Sequence, residues 1–212
     1  MNCKFKKLLI LSIFTVGMFQ KSYAATQAWD LDLSHSSLNF AVDHLGISET
    51  TGKFDKYEVA VKSDKEDFTD AEFSVTIFTD SINTADAKRD EHLKGKDFFE
   101  VAKNPTMKFE GLKFEKKNKK KNEYKVVGKL TLNGVTKDVT LDGKFNGIQK
   151  DPWGGTRAGL KVSGAIDRYD YNLKYNSVLD KGGFAIGKEV RFNANVELVK
   201  KVAEVKKEEV KK

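Results

Sequence analysis

Apolar and polar residues alternate one by one through most of this chain, and a period of two predicts strands. The clearest unit runs from Gly128 to Leu141, GKLTLNGVTKDVTL. Leu130 and Leu132 oppose their polar neighbours there, and Asn133-Gly134 has the composition of a two-residue type I′ turn. Tyr124, Val126 and Gly128 extend the first arm, and Val135, Val139 and Leu141 form the second. Near the start, Trp29, Leu31 and Leu33 alternate, then Leu38, Phe40 and Val42, which predicts one strand bent at Ser34-His35-Ser36 or two short ones. Phe54 falls on one parity and Tyr57, Val59 and Val61 on the other, placing a bulge near Asp55-Lys56. Ala71, Phe73, Val75 and Ile77 form the next face. Met107 and Phe109 shift to Leu112 and Phe114 across Gly111, a second bulge. The longest alternations are Ala158, Leu160, Val162, Gly164, Ile166 and then Val190, Phe192, Ala194, Val196, Leu198.

About eight one-sided strands in this order allow antiparallel pairing between neighbours. A sheet with one apolar face and no helices to cover it must close on itself or pack on a second sheet, and the bulges favour closure. The expected fold is all-β, a single antiparallel barrel with one short helical excursion near residues 86–103. Asp86 to Lys94 holds good helix formers and stops at Gly95, a C-terminal cap. A second turn is expected from Asp97, with Glu100 reaching back to it, ending before Asn104-Pro105. This excursion would cross the side or mouth of the barrel and bring Phe98, Phe99 and Val101 to it.

The ends read differently from the body. Residues 1–24 have a positive start at Lys4, Lys6 and Lys7, an apolar run from Leu8 to Phe19 and a small-x-small site at Ser22-Tyr23-Ala24. That is the pattern of a cleaved secretory signal, so a periplasmic or secreted protein is expected. Cys3 lies in that segment, which leaves the expected mature chain without cysteine. Residues 25–199 read as one domain, and 200–212 as a charged Lys/Glu tail. The formal charge of +7 arises at the ends, because residues 25–199 carry 28 basic and 28 acidic groups. A neutral body argues against a nucleic-acid surface. The lysine-rich segment Lys116 to Lys121 sits between two strand patterns and reads as a solvated loop.

An eight-stranded barrel is near the size that side chains alone fill, so closure does not establish a pocket. On the presumed inner face, Gly128, Ala158, Gly164, Ala71 and Ala194 interrupt larger residues. Such gaps either leave a cavity or make room for Phe73, Phe109 and Phe192, and the pattern leaves both open. If hollow, the lumen would be lined by Phe40, Val42, Phe54, Phe73, Val75, Ile77, Phe109 and Leu130. Ala158, Leu160, Val162, Gly164, Phe192 and Ala194 would complete it, with Phe98 and Phe99 from the excursion.

Head-group contacts at the rim would come from His35, His44, Arg89, His92 and Trp153, although each has a plainer role as an exposed or packed residue. The histidines are 9 and 48 residues apart, with no short ligand spacing and no cysteine to join them, so no metal site is expected. Arg89-Asp90 also reads as a surface or capping pair. Asp170, Asp180 and Glu189 show no paired placement as acid and base. Ser34 and Ser36 flank His35, but neighbours on a strand face opposite ways, so no nucleophile-base pair is expected.

The fragments WDLDLSHSSLNFAVDHLG (29–46), GKF (52–54), INTADAKRDEHLKGKDFFEVAKNPTMKFE (82–110), GKLTLNGVTKDV (128–139), DPWGGTRAG (151–159) and GKEVRFNANVEL (187–198) resemble the YceI-like polyisoprenoid-binding proteins. The resemblance covers the chain between its two ends. It implies a lipocalin-like barrel outside the cytoplasm enclosing an isoprenoid, an isoprenoid quinone or a fatty amide, with no further cofactor and no assigned reaction. A monomer or homodimer with transient membrane contact would suit such a carrier. An enzyme using His44 and Arg89 on a lipid-like substrate, or a docking protein using the tail, would be the competing uses.

Overall fold

The computed structural model describes residues 26–117 and 122–202. The expected signal (1–24), most of the tail and residues 118–121 lie outside the described residues. Eleven strands form: β1 (Ala28–Leu31), β2 (Ser37–His44), β3 (Ser48–Phe54), β4 (Tyr57–Lys62), β5 (Glu72–Phe78), β6 (Ile82–Asn83), β7 (Thr106–Lys116), β8 (Glu123–Leu132), β9 (Val135–Lys150), β10 (Thr156–Asp167) and β11 (Ile186–Lys200). One helix, α1 (Ala87–Lys94), lies between β6 and β7.

The sheet closes through the ring β1-β4-β5-β7-β8-β9-β10-β11 and back to β1, with antiparallel neighbours throughout. β2, β3 and β6 continue three of these strands past a corner. β1 pairs with the end of β11 and β2 with the rest of it, so the two are halves of one bent strand. In the same way β3 lies beside β2 where β4 lies beside β1, and β6 beside β3 where β5 lies beside β4. The parity change at Asp55-Lys56 is therefore a corner between two strands rather than a bulge within one. Asp55 donates its N–H to the Ser81 carbonyl, and Phe78 donates to that of Lys56, which knits the corner. Beyond it β6 is a free edge, and α1 with residues 95–105 occupies the gap between β6 and β7. The expected bulge after Gly111 is present, and Leu112 is the extra, exposed residue.

Local chemistry accounts for the turns. Asn133 and Gly134 adopt φ of 48° and 74°, the conformation a type I′ hairpin requires. Asp86 caps α1 by accepting from the N–H groups of Lys88 and Arg89. Gly95 ends the helix in extended rather than left-handed backbone, its N–H bonded to the His92 carbonyl. Asp97 does not cap a second turn; its carboxylate meets His92 Nε2 at 2.9 Å, and Glu100 pairs with Lys103 at 2.8 Å.

One end of the barrel is sealed. Phe68, in the loop between β4 and β5, is fully buried, with ring centroids 5.1 Å from Trp29 and 5.2 Å from Phe145. Phe114 stacks on Tyr124 at 4.2 Å beside them. The loop is held in place by Asp70, which accepts from the Ser63 hydroxyl at 2.6 Å and from the N–H groups of Asp64 and Lys65. Tyr124 donates to the Asp67 carbonyl, and Lys116 pairs with the Asp67 carboxylate at 3.1 Å. Lys117 pairs with Asp142, so the start of the lysine-rich segment is engaged rather than only solvated.

The corner between β1 and β2 is a 3₁₀ turn, Leu33–His35, capped by Asp32. Arg157 of β10 gathers Asp32 at 2.6 Å, Asp151 at 2.8 Å and Glu197 at 2.6 Å, which joins that corner to the β9–β10 turn and to β11. Bonds from Ser34 and Arg157 hold the Asp32 carboxyl far below its ordinary range, and Arg157 does the same for Asp151 more modestly. Carboxyls depressed in the folded state stabilise it fully above their unfolded value of about 3.9 and cease to as pH falls through the folded value. The thermal midpoint of the protein should therefore drop between pH 5 and pH 2. Arg157→Met should lower the midpoint at pH 7 and flatten that acid dependence, as followed by circular dichroism.

Candidate functional site

Above the sealed floor the barrel is hollow. A cavity of about 510 Å³ runs up the axis to the end where α1, the β2–β3 turn and the loop from Asn172 to Ala185 meet. Cavities of roughly 300–1,000 Å³ are the usual size for small-molecule sites. Inward parity alone does not distinguish this region from the floor, but accessibility does. Tyr124, Val126 and Leu198 on the floor are fully buried, whereas Phe40, Val42, Val75, Leu130, Leu160, Val162, Phe192 and Ala194 point inward and keep part of their surface open to the lumen.

Those eight line the cavity, together with Phe54, Phe73, Ile77, Phe98, Phe99 and Phe109. Two expected lining residues do not. Ala158 is packed into the floor cluster at 1% exposure, and a Cβ on Gly164 would lie 2.7 Å from Leu141 Cδ2 and 3.2 Å from Phe192 Cζ. The glycines are not gaps. A Cβ on Gly111 would sit 2.2 Å from the Phe73 ring, and one on Gly128 would sit 2.5 Å from that of Phe109. Each glycine gives a phenyl ring a bed on the neighbouring strand, so the hollow arises above the rings rather than at the small residues. Ala71 and Ala194 do border it.

The rim candidates separate by end. His44, Arg89 and His92 line the cavity mouth. His35 and Trp153 lie at the opposite end of β10, where the β9–β10 turn and the Arg157 cluster are; Trp153 is 84% exposed in that turn and neither covers nor packs the lumen. The sequence pattern missed others. Tyr57, Val59 and Met107 line the cavity on parities already visible in their strands, whereas Arg168, Leu173 and Tyr175 sit on non-periodic segments that carry no such signal. Burial raises the Tyr57 hydroxyl's pKa.

At the mouth, α1 turns Arg89, His92 and Leu93 inward, the spacing of one helical face. The His92 ring meets Phe98 and Tyr175 edge-on at 5.1 and 4.9 Å, closing α1 against the Asn172–Ala185 loop. Arg89 donates through Nε to the Thr84 hydroxyl at 2.8 Å and through Nη2 to the Thr84 carbonyl at 2.9 Å, and Asp90 accepts from Thr84 as well. Arg89 and Asp90 thus brace the Thr84 backbone rather than pair directly. Arg168 is 3% exposed and donates to the carbonyls of Gly187 at 2.8 Å and Tyr175 at 2.9 Å, and to those of Leu173 and Ile186. Desolvation works against its charge, and the carbonyl dipoles offset part of that cost.

At the sealed end the expectation for Ser34 and His35 needs correction. Because this segment is a 3₁₀ turn, Ser34 Oγ approaches His35 Nδ1 to 3.1 Å, and Asp32 Oδ2 approaches the same nitrogen to 3.0 Å. A serine-histidine-carboxylate relay uses the two different ring nitrogens, so this cluster is a capped corner. Asp32, His35 and Glu197 also present ligand atoms within 4.8 Å of one another, but Arg157 Nη1 lies 2.6 Å from an oxygen of both carboxylates and occupies the position between them.

The YceI-like domain family matches residues 29–198. A UPF0312 protein of Staphylococcus aureus is 42% identical over 167 residues, which span 78% of this chain and 94% of that protein. The solved YCEI protein of Campylobacter jejuni superposes with a TM-score of 0.63 at 32% identity, over 76% of this chain and 90% of that one. A polyisoprenoid binding domain from Saccharophagus degradans shares the fold at 18% identity, with a TM-score of 0.56 over 82% of this chain and 99% of its own.

Two substitutions separate the hollow from the packed part. Ala194→Phe projects into open lumen, so it should cost less than about 1.5 kcal/mol in urea unfolding while abolishing displacement of a fluorescent fatty probe. Gly164→Phe meets Leu141 and Phe192 and should cost about 1–3 kcal/mol or more.

Proposed function

This chain belongs to the YceI-like domain family, and on that premise we propose that it is an exported, soluble carrier or store for one long-chain apolar lipid. The observation that carries this reading is the apolar cavity, closed at its floor and open at its mouth, whose walls are mainly phenylalanine, leucine, valine and isoleucine side chains left partly unfilled. Its occupant is an isoprenoid, an isoprenoid quinone or a fatty amide. The polyisoprenoid-binding likeness of the Saccharophagus degradans domain points the same way. Burial supplies the affinity: roughly 0.8 kcal/mol per methylene means that ten methylenes contribute about 8 kcal/mol, less the cost of ordering the chain. No chemical step is needed. The signal-like pattern of residues 1–24 supports the export part of this proposal.

A carrier of this kind exchanges its ligand where the ligand is soluble, at a bilayer. The mouth carries the surface such an exchange needs. Ile47 at 84% exposure and Leu45 project from the β2–β3 turn, and Val178 and Phe184 from the adjacent loop. The two segments are joined by the Leu45 N–H to Ala185 carbonyl bond, and the Val178–Phe184 bridge ties the loop to itself. Lys174 and Lys181 lie in the same loop as Val178 and Phe184, with Asp180 beside Lys181, and Lys188, just after it, pairs with Asp167 at 3.7 Å.

Protein purified from its own host and examined by native mass spectrometry should carry one extractable long-chain apolar molecule per chain; consistently empty protein would overturn the reading. Replacing Ile47, Val178 and Phe184 together with Ser should slow the transfer of a fluorescent fatty probe from phosphatidylglycerol vesicles at least roughly tenfold. Equilibrium binding of the same probe without vesicles should stay within twofold of the parent protein.

A further inference from the structure

The connection from β4 to β5 is longer than the strands require. Adjacent antiparallel strands can close with a two-residue turn, as β8 and β9 do, yet residues 63–71 separate this pair. Phe68 of this connection is 0% exposed and bounds the base of the cavity. Trp29 and Phe145 meet its ring at 5.1 and 5.2 Å but do not bound the cavity themselves, so they stand behind it. The backbone of Phe68 is left-handed, with φ of 58°, a conformation that a bulky residue adopts only where its surroundings impose it. Here they do. The Phe68 N–H donates to the Lys65 carbonyl, and the Phe68 carbonyl accepts from the Ala71 N–H. Asp67 accepts from the N–H and the hydroxyl of Thr69, and Asp70 accepts from Ser63, Asp64 and Lys65. The Ser63 N–H donates to the Gln27 carbonyl, which ties the connection to the chain entering β1. None of these bonds uses the Phe68 side chain, and together they aim it inward.

We propose that Phe68 determines specificity for tail length: its ring is the stop against which an apolar tail ends, so its depth sets the longest chain that is buried whole. The inference rests on the lipid-carrier reading and adds the length class of the cargo. Each methylene added to a tail shorter than the hollow leaves water, and affinity rises about fourfold per step. Once the tail touches the ring, further methylenes stay outside the mouth and the gain ceases. The stop is rigid because Trp29 and Phe145 back it, and a close-packed floor yields little. A smaller side chain at this position would leave space that the stapled connection cannot refill, and the base of the hollow would move down toward those two rings. Asp67 and Asp70 act as positioning residues, since they hold the connection and do not face the ligand.

The test is a series of straight-chain primary alcohols of increasing length, each displacing a fluorescent fatty probe from the full chain. For the parent protein, affinity should climb about fourfold per methylene and then level off at one length. In Phe68→Ala the levelling should move to chains about four carbons longer, fewer than the ring carbons removed because the walls relax in part. Phe68→Leu, the milder change, should move it about half as far. The shortest alcohols should bind both variants within twofold of the parent, whereas a residue that merely supported the fold would weaken every length alike. A parent series that climbs without levelling, an unmoved levelling length or a uniform loss would each overturn the stop and leave the carrier reading standing. Binding of no alcohol by the parent would overturn both. A second measurement needs no variant: an alcohol of the levelling length with a diazirine at its methyl end should, on illumination of the parent, label residues 63–71. Label confined to α1 and the Asn172–Ala185 loop would overturn the assignment, and this result decides the matter if neither variant folds.

Discussion

Ring closure through β1 is the constraint on which the rest of this molecule depends. This strand is four residues long, yet it alone joins β4 to β11. Trp29 makes so short a seam sufficient. Its indole is buried, donates to the Ser63 carbonyl at 3.3 Å and lies against Phe68, so the strand is held by packing as well as by its ladder. Without that seam the inner face of the sheet would meet water, and neither a floor nor a cavity would exist.

The same seam explains why three strands turn a corner. A barrel that is tight at one end and open at the other cannot be built from eight straight strands of equal reach. β1, β4 and β5 end at the corner, and β2, β3 and β6 carry the pairing past it along a new direction. The gap left beside β6 is filled by α1, an element whose residues are mostly charged and whose two ends are fixed by Asp86 and Gly95. Flexible chemistry thus sits where the sheet stops, and rigid packing where it closes.

Much of this was legible in the chain. The period of two found the strands, Asn133-Gly134 found its hairpin, and Asp86 with Gly95 bounded the helix. Parity, however, reports inside against outside and carries no information on depth. Ala158 and Ala194 share a residue type and an inward parity, yet one is packed into the floor and the other borders empty space. The histidines divide in the same way, His35 to one end and His44 to the other. Phe68 was invisible for another reason: it lies among Asp, Lys and Thr with no periodic partner, and only the Asp70 and Tyr124 bonds direct it inward. Ser34 beside His35 was misjudged because a strand was assumed where Asp32 caps a 3₁₀ turn.

Phe68 also decides how a guest could sit. A tube corked at its base has one doorway, so whatever enters tail first must leave head first. For any such guest, the order of entry and exit would be set by topology, and the end that entered last would be the one left at the doorway.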